Sequence, residues 1–172
     1  MDCCKIQIEV VSRPEASTIL SSPNECKKVS FLVSIGAPED ELPVGYSNVP
    51  CKIRLLFGDT ESAEDGPTES DVRSLIQLAH RLNGSPGKIL IHCEAGVSRS
   101  TAAALIMYTC LLGLDSEPEA MRRLLQQRPI ARPNRRMVQI ADHLLGRGGR
   151  LIGVLDSYQL RKVERAEDLD RL

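Results

Sequence analysis

Tryptophan is absent, and the aromatics are limited to Phe31, Phe57, Tyr46, Tyr108 and Tyr158. Aromatic stacking on a substrate therefore has few candidates, and Tyr46 is the one ring placed in a long loop where it could do so. An excess of one charge is missing as well. Lys plus Arg number 22 against 23 Asp plus Glu, a net charge of -1, so there is no basic footprint for a nucleic acid partner. No apolar run approaches the length that spans a bilayer. The first residues, Met1-Asp2-Cys3-Cys4, lack the basic and apolar stretches of a signal peptide, and a cytoplasmic protein without membrane partners is expected. The six cysteines (Cys3, Cys4, Cys26, Cys51, Cys93, Cys110) contain no C-x-x-C pair, and His80, His92 and His143 are scattered. Zinc and thioredoxin-type chemistry both lack their spacing, so no metal or cofactor is expected. A chain of 172 residues can bury a core without disulfide staples, and a single domain over 1–172 is the simplest organisation.

The hydrophobic pattern supplies strands first and helices later. Residues 5–11 alternate as a half-buried strand, 29–35 form a second strand, 52–57 a third and 88–92 a fully buried fourth. Residues 59–66, acidic and small, read as a loop. Thr68 with Asp71 makes a capping box ahead of a helix carrying Val72, Leu75, Ile76, Ala79 and Leu82. A mostly apolar helix over 100–112 must be buried. Ser116 with Glu119 is expected to cap the next helix, and Met137, Ile140, Ala141, Leu144 and Leu145 mark another. Residues 151–155 are apolar, and the charged tail over 156–172 is helical or frayed. The fold class is α/β: a central, mostly parallel sheet flanked by helices.

The chemistry concentrates in Ile91-His92-Cys93-Glu94-Ala95-Gly96-Val97-Ser98-Arg99-Ser100-Thr101, between a buried strand and a buried helix. A tight turn leading into a helix N-terminus presents backbone N–H groups to an anion. The same amides and the helix dipole favour a thiolate at Cys93. Five residues separate Cys93 from Arg99, enough for the turn to curl and face sulfur and guanidinium toward one centre. The planar fork of Arg99 can hold two phosphate oxygens at once. Gly96 permits a backbone angle that a side chain would resist.

H-C-x5-R-S is the signature of the protein tyrosine phosphatases, and residues 92–100 resemble the compact dual-specificity branch of that superfamily. The resemblance implies a protein tyrosine phosphatase-like fold and a phosphoric monoester hydrolase. Cys93 would attack phosphorus to form a cysteinyl-phosphate, and the amides of Glu94, Ala95, Gly96, Val97 and Ser98 would join Arg99 around the phosphoryl oxygens. Ser100 would help the sulfur leave, and His92 would orient the loop without acting as a base. The family also uses an aspartate on a loop after a strand as general acid. Asp59, 34 residues before Cys93, stands there, with Glu61, Glu64 and Asp65 as competitors. Pro133-Asn134 resembles the family's segment opening a late helix. Asn134 there would hydrogen-bond the phosphate loop, a role compatible with capping that helix. Residues 133–151 with 98–104 resemble a bacterial subset of the branch. The match covers about 52–145, while 1–49 and the tail carry no motif of the family.

The expected partner is a phosphorylated protein or a small phosphoester. Rival readings remain: a phosphatase for phosphoinositides, nucleic-acid 5′ ends or other small phosphates; a rhodanese-like or arsenate-reducing enzyme; an inactive phosphate-binding module. Glu94 puts an anion where enzymes of highly phosphorylated inositols carry basic residues. Cys51, near the start of the strand leading to Asp59, could serve as a redox partner of Cys93.

Overall fold

The computed structural model describes residues 6–169, so Lys5 and the thiols of Cys3 and Cys4 lie outside the described residues. Four strands form one sheet: β1 (Ile6–Ser12), β2 (Val29–Gly36), β3 (Lys52–Leu56) and β4 (Gly87–Cys93). Their order is β1-β4-β2-β3, and every neighbouring pair is parallel. The apolar run Ile89–Ile91 is explained by this order, because β4 has a neighbour on each side and helices over both faces. β1 is an edge strand, and Gln127 covers its open side. The Val10 N–H donates to Gln127 Oε1 at 2.9 Å, and Gln127 Nε2 donates to Ile8 O at 2.8 Å. A side-chain amide thus takes the place of a neighbouring strand on an edge that would otherwise invite pairing.

Successive residues of a strand face opposite sides, and the two sides have separate cores. The larger holds Ile8, Val10, Val33, Ile35, Ile89 and Ile91 against four helices: α3 (Glu69–Leu82), α4 (Arg99–Leu112), α5 (Glu117–Gln127) and α6 (Arg135–Leu144). The smaller holds Val11, Leu32 and Leu90 against Ala16 and Leu20 of α1 (Arg13–Ser21). A single turn, α2 (Pro23–Cys26), returns the chain to β2, and α7 (Arg150–Leu169) closes the described chain. α4 is enclosed by α3, α5, α6 and the sheet, which accounts for its apolar circumference; Ala102 through Met107 are fully buried. Asp142 starts α7 by accepting from the N–H groups of Gly149 (2.7 Å) and Leu151 (2.8 Å). Among the described residues no helix is long and apolar enough to cross a membrane.

Two helix starts depart from the pattern read in the sequence. α1 was not expected, because its apolar periodicity is weak. It begins on a capping box, Ser12 with Glu15, in which Ser12 is also the last residue of β1. The Ser116–Glu119 box does not form. Ser116 Oγ donates instead to Gly113 O at 2.7 Å, and Glu119 is taken by Arg122 and Arg123 one turn ahead. The Thr68–Asp71 box does form. Cys51 precedes β3 at the N-terminal end of the sheet, whereas Cys93 ends β4 at the opposite end. Lys52 is level with Leu32 and Leu32 with Leu90, so the two cysteines are about 13 Å apart along the strands and about 10 Å across them. A disulfide spans roughly 6 Å between Cα atoms. Cys51 is out of reach of Cys93.

Candidate active site

In a parallel sheet the crevice beyond the C-terminal strand ends is the natural ligand site, and the chemistry-bearing residues gather there. β4 delivers Cys93 beside Ser12 at the end of β1. Residues 94–98 then curl into α4. Gly96 has φ +68°, and a Cβ on it would lie 2.6 Å from the Ser12 nitrogen and 2.7 Å from Arg128 Nη2, so the turn requires glycine on both counts. The carbonyls of the turn are held from outside. Val97 O accepts from the Arg132 N–H at 2.8 Å, and Ser98 O from Ala102 N at 3.0 Å and Asn134 N at 3.3 Å. α4 starts without a side-chain cap, unlike α1, α3 and α6. Its first-turn amides and the positive end of its dipole therefore face the crevice uncompensated by a side chain.

Cys93 is buried at the centre of this arrangement, its Sγ 3.1 Å from Ser100 Oγ. A chain of hydrogen bonds runs to its backbone. Arg54 Nη1, which can only donate, gives to Ser34 Oγ at 2.7 Å, and the Ser34 hydroxyl gives to His92 Nε2 at 2.7 Å. His92 Nδ1–H is left to donate to Cys93 O at 3.2 Å. Burial, aided by Arg54, pushes the His92 imidazole down to about 4, so the ring is neutral with both nitrogens engaged.

Arg99 is 6 % exposed. Its Nη1 donates to Phe57 O at 3.0 Å and lies 3.5 Å from Asp40 Oδ2, while its buried Nε–H has no protein acceptor. Asp59 follows β3 and stands on the rim. Ser98 Oγ donates to Asp59 Oδ1 at 2.6 Å, so the acidic loop rests directly on the turn. Glu61, Glu64 and Asp65 share that loop, but no carboxylate of theirs is hydrogen-bonded to the turn; Glu61 lines the same cavity as Asp59 and Ser98. A cavity of about 340 Å³ opens between Asp59, Ser98, Arg132 and Asn134.

No family model matches the chain. Among curated proteins it is 33% identical over 109 residues to dual specificity protein phosphatase 15 of Rattus norvegicus, covering 62% of this chain and 42% of that protein. It is 39% identical over 80 residues to protein phosphatase Slingshot homolog 3 of Homo sapiens, covering 44% of this chain and 11% of the relative. The chain thus spans less than half the length of either. Among solved structures, DUSP15 superposes with a TM-score of 0.60 at 24% identity, over 87% of this chain and 90% of that one. Human DUSP28 superposes with a TM-score of 0.57 at 16% identity, over 90% and 94%. The fold is that of the dual-specificity phosphatases.

Within that fold three sequence expectations are refined. Asn134 caps α6, its Oδ1 accepting from Met137 N at 3.1 Å. Its side-chain amide turns to Asp59 Oδ1 (3.2 Å) and Thr60 O (3.3 Å) and not to the turn after Cys93, which it meets only through its backbone N–H. Glu94 is no free anion. Arg13 grips its carboxylate with two bonds of 2.7 and 3.0 Å and holds it below the usual carboxylate range. Tyr46 packs on the smaller core with the Lys52 ammonium 5.0 Å from its ring centroid, so the ring is already occupied. The residues that sequence reasoning missed are Arg13, Asp40, Arg54 and Arg128. None belongs to the contiguous signature, and only Arg13, directly after the end of β1, stood where a local signal could have found it.

Proposed function

We propose that the chain hydrolyses phosphoric monoesters through a cysteinyl-phosphate, as a protein tyrosine or dual-specificity phosphatase. The observation that carries this reading is the buried, unpartnered Nε–H of Arg99, the residue after a turn whose carbonyls from Glu94 to Ser98 are each taken by protein donors. A buried guanidinium donor needs an acceptor, and an oxyanion supplies it in the geometry that a fork grips. The named relatives and the shared fold support the same chemistry.

The geometry supports the roles that the resemblance implies. Cys93 Sγ, as thiolate, attacks phosphorus; the bond from phosphorus to the ester oxygen breaks, and Asp59 gives that oxygen its proton. Arg99 and the amides of residues 94–99 hold the three non-bridging oxygens. Asp59, now a carboxylate, takes a proton from water as the water oxygen attacks phosphorus. The phosphorus–sulfur bond breaks, and the Ser100 hydroxyl donates to the departing thiolate. Inorganic phosphate leaves. His92 fixes the Cys93 carbonyl, and Asn134 holds the Asp59 loop. The substrate is a phosphorylated protein or a smaller phosphoester, on which the chain acts as a single phosphatase domain in the cytoplasm. The likeness of residues 133–151 and 98–104 to a bacterial subset points to a compact enzyme of that kind.

The test is turnover of an aryl phosphate by the wild type and by Cys93→Ser. The variant should lose hydrolysis entirely while still binding inorganic phosphate, because the amides and Arg99 remain. Hydrolysis by the variant at a substantial fraction of the wild-type rate would remove Cys93 as nucleophile.

A further inference from the structure

The turn after Cys93 is gripped from behind by a residue that belongs neither to the signature nor to the acid loop. Arg128 caps the C-terminal end of α5, and its side chain is only 17% exposed. Its Nε donates to Gly96 O at 3.0 Å, and its Nη2 lies 3.5 Å from Ala95 O. The other edge of the same guanidinium is held by Glu15 of α1, with Nη1 at 3.1 Å from Oε1 and Nη2 at 3.0 Å from Oε2. Glu15 is fixed in turn by the capping box, accepting from the Ser12 N–H at 2.6 Å. Arg128, with the Ser12 backbone, holds its carboxyl down at about 2. The Ser12 nitrogen and Arg128 Nη2 are among the atoms that leave no room for a side chain on Gly96.

We propose that Arg128 is a positioning residue for anion capture, set by Glu15, and that it acts through the orientation of the Ala95 and Gly96 carbonyls. Each peptide unit of the turn can point either its N–H or its C=O at the bound anion, and a glycine with φ +68° offers the least resistance to a flip. A carbonyl turned inward would set a negative dipole against both the thiolate and the phosphate. Arg128 is the donor that keeps those oxygens outward, so that the amides beside them face in. One guanidinium fork serves two carbonyls and one carboxylate at once, a task its five fixed donors fit and a single ammonium does not. Through Glu15 and the capping box, the brace reaches from α5 to the start of α1, on the opposite face of the sheet.

This inference rests on the phosphatase reading, but its test does not depend on turnover. Binding of inorganic phosphate and of orthovanadate is measured by calorimetry on the full chain for wild type, Arg128→Met, Arg128→Lys and Glu15→Gln. Thermal unfolding of each is recorded alongside, with kcat and KM for an aryl phosphate. Arg128→Met and Arg128→Lys should both weaken anion binding roughly 10- to 100-fold, the scale of a small misplacement of binding groups. KM should rise with the lost affinity, and kcat should fall as well. Glu15→Gln keeps an acceptor and should weaken binding less than either. Should Arg128→Met not fold, Arg128→Lys carries the test, since its ammonium still pairs with Glu15. Wild-type anion affinity in Arg128→Lys would mean that charge alone suffices, and would overturn the proposal. So would an Arg128→Met protein that melts early yet binds phosphate as tightly as wild type. A wild type that binds phosphate and hydrolyses no ester would instead sink the catalytic reading and leave the binding comparison to decide this one.

Discussion

Asp59 Oδ1 accepts from Ser98 Oγ at 2.6 Å and from Asn134 Nδ2 at 3.2 Å, contacts that bridge 39 and 75 residues of chain. One carboxylate oxygen therefore ties the loop after β3 to the turn after β4 and to the start of α6. The general acid of the proposed reaction is held on the rim by residues that also shape the anion site. Its position does not rest on the loop over 59–66 alone, which has few buried residues.

The two functions of the Asn134 side chain can be separated. Asn134→Ala removes a helix cap and should cost about 1 kcal/mol of stability. It also frees Asp59, so turnover of poor leaving groups should drop. Asn134→Asp restores an acceptor for Met137 N but sets a second carboxylate against Asp59. Urea denaturation should show stability largely recovered in Asn134→Asp while its activity stays low. Recovery of both would show that the contact with Asp59 is idle.

The legible and illegible parts of the site divide along the same line. Cys93, Arg99 and Ser100 were readable because a tight turn writes its geometry into adjacent residues, and Gly96 marks the angle it needs. The sheet was readable because Ile89–Ile91 can be apolar only between covered faces. Asn134 was found, yet its side-chain partner was not, since α6 could have set the amide against either loop. Arg128 and Glu15 were silent: an arginine ending one helix and a glutamate opening another carry no spacing that announces their pairing. The α1 start was written in Ser12 and Glu15, but the strand running into it without a break concealed the signal. Ser116 and Glu119 offered the same letters and no box, because Arg122 and Arg123 compete for the glutamate.

His92 gives the fold a specific acid weakness. Its imidazole sits near 4 in the folded protein against an ordinary value of 6.5, so the unfolded chain binds the extra proton first. The stability contributed by the neutral ring is complete above about pH 6.5 and is lost as pH falls toward 4, a total on the order of 3 kcal/mol. Unfolding free energies from pH 7 to 4 should therefore fall more steeply for wild type than for His92→Asn, which cannot titrate. Parallel curves would mean that His92 is not buried as a neutral ring.

On the proposed mechanism, mild peroxide should abolish turnover reversibly, since a thiolate is readily taken to sulfenic acid, and bound phosphate should protect. Cys51 lies at the wrong end of the sheet to resolve that product. Cys51→Ser should leave both the rate of inactivation and its reversal by added thiol unchanged, and mass spectrometry should find no Cys51–Cys93 disulfide. Detection of that disulfide in the folded monomer would contradict the strand register.

The assignment of Asp59 as acid is tested by leaving-group chemistry. An alkyl phosphate expels an oxygen that must be protonated as its bond to phosphorus breaks, whereas an activated nitrophenolate leaves with little help. Removing the acid should therefore hurt the first reaction far more than the second. Asp59→Asn keeps the size of the side chain and an oxygen for Ser98 Oγ, so the turn should keep its shape and its affinity for phosphate. Its rate on phosphoserine or phosphotyrosine should fall by about 10²–10⁴, the usual range for a general acid, with a much smaller fall on the nitrophenyl ester. Glu61→Gln and Asp65→Asn should behave as wild type, because neither carboxylate is bonded to the turn. If one of them shows the selective loss while Asp59→Asn does not, the loop delivers a different acid than its contact with Ser98 indicates.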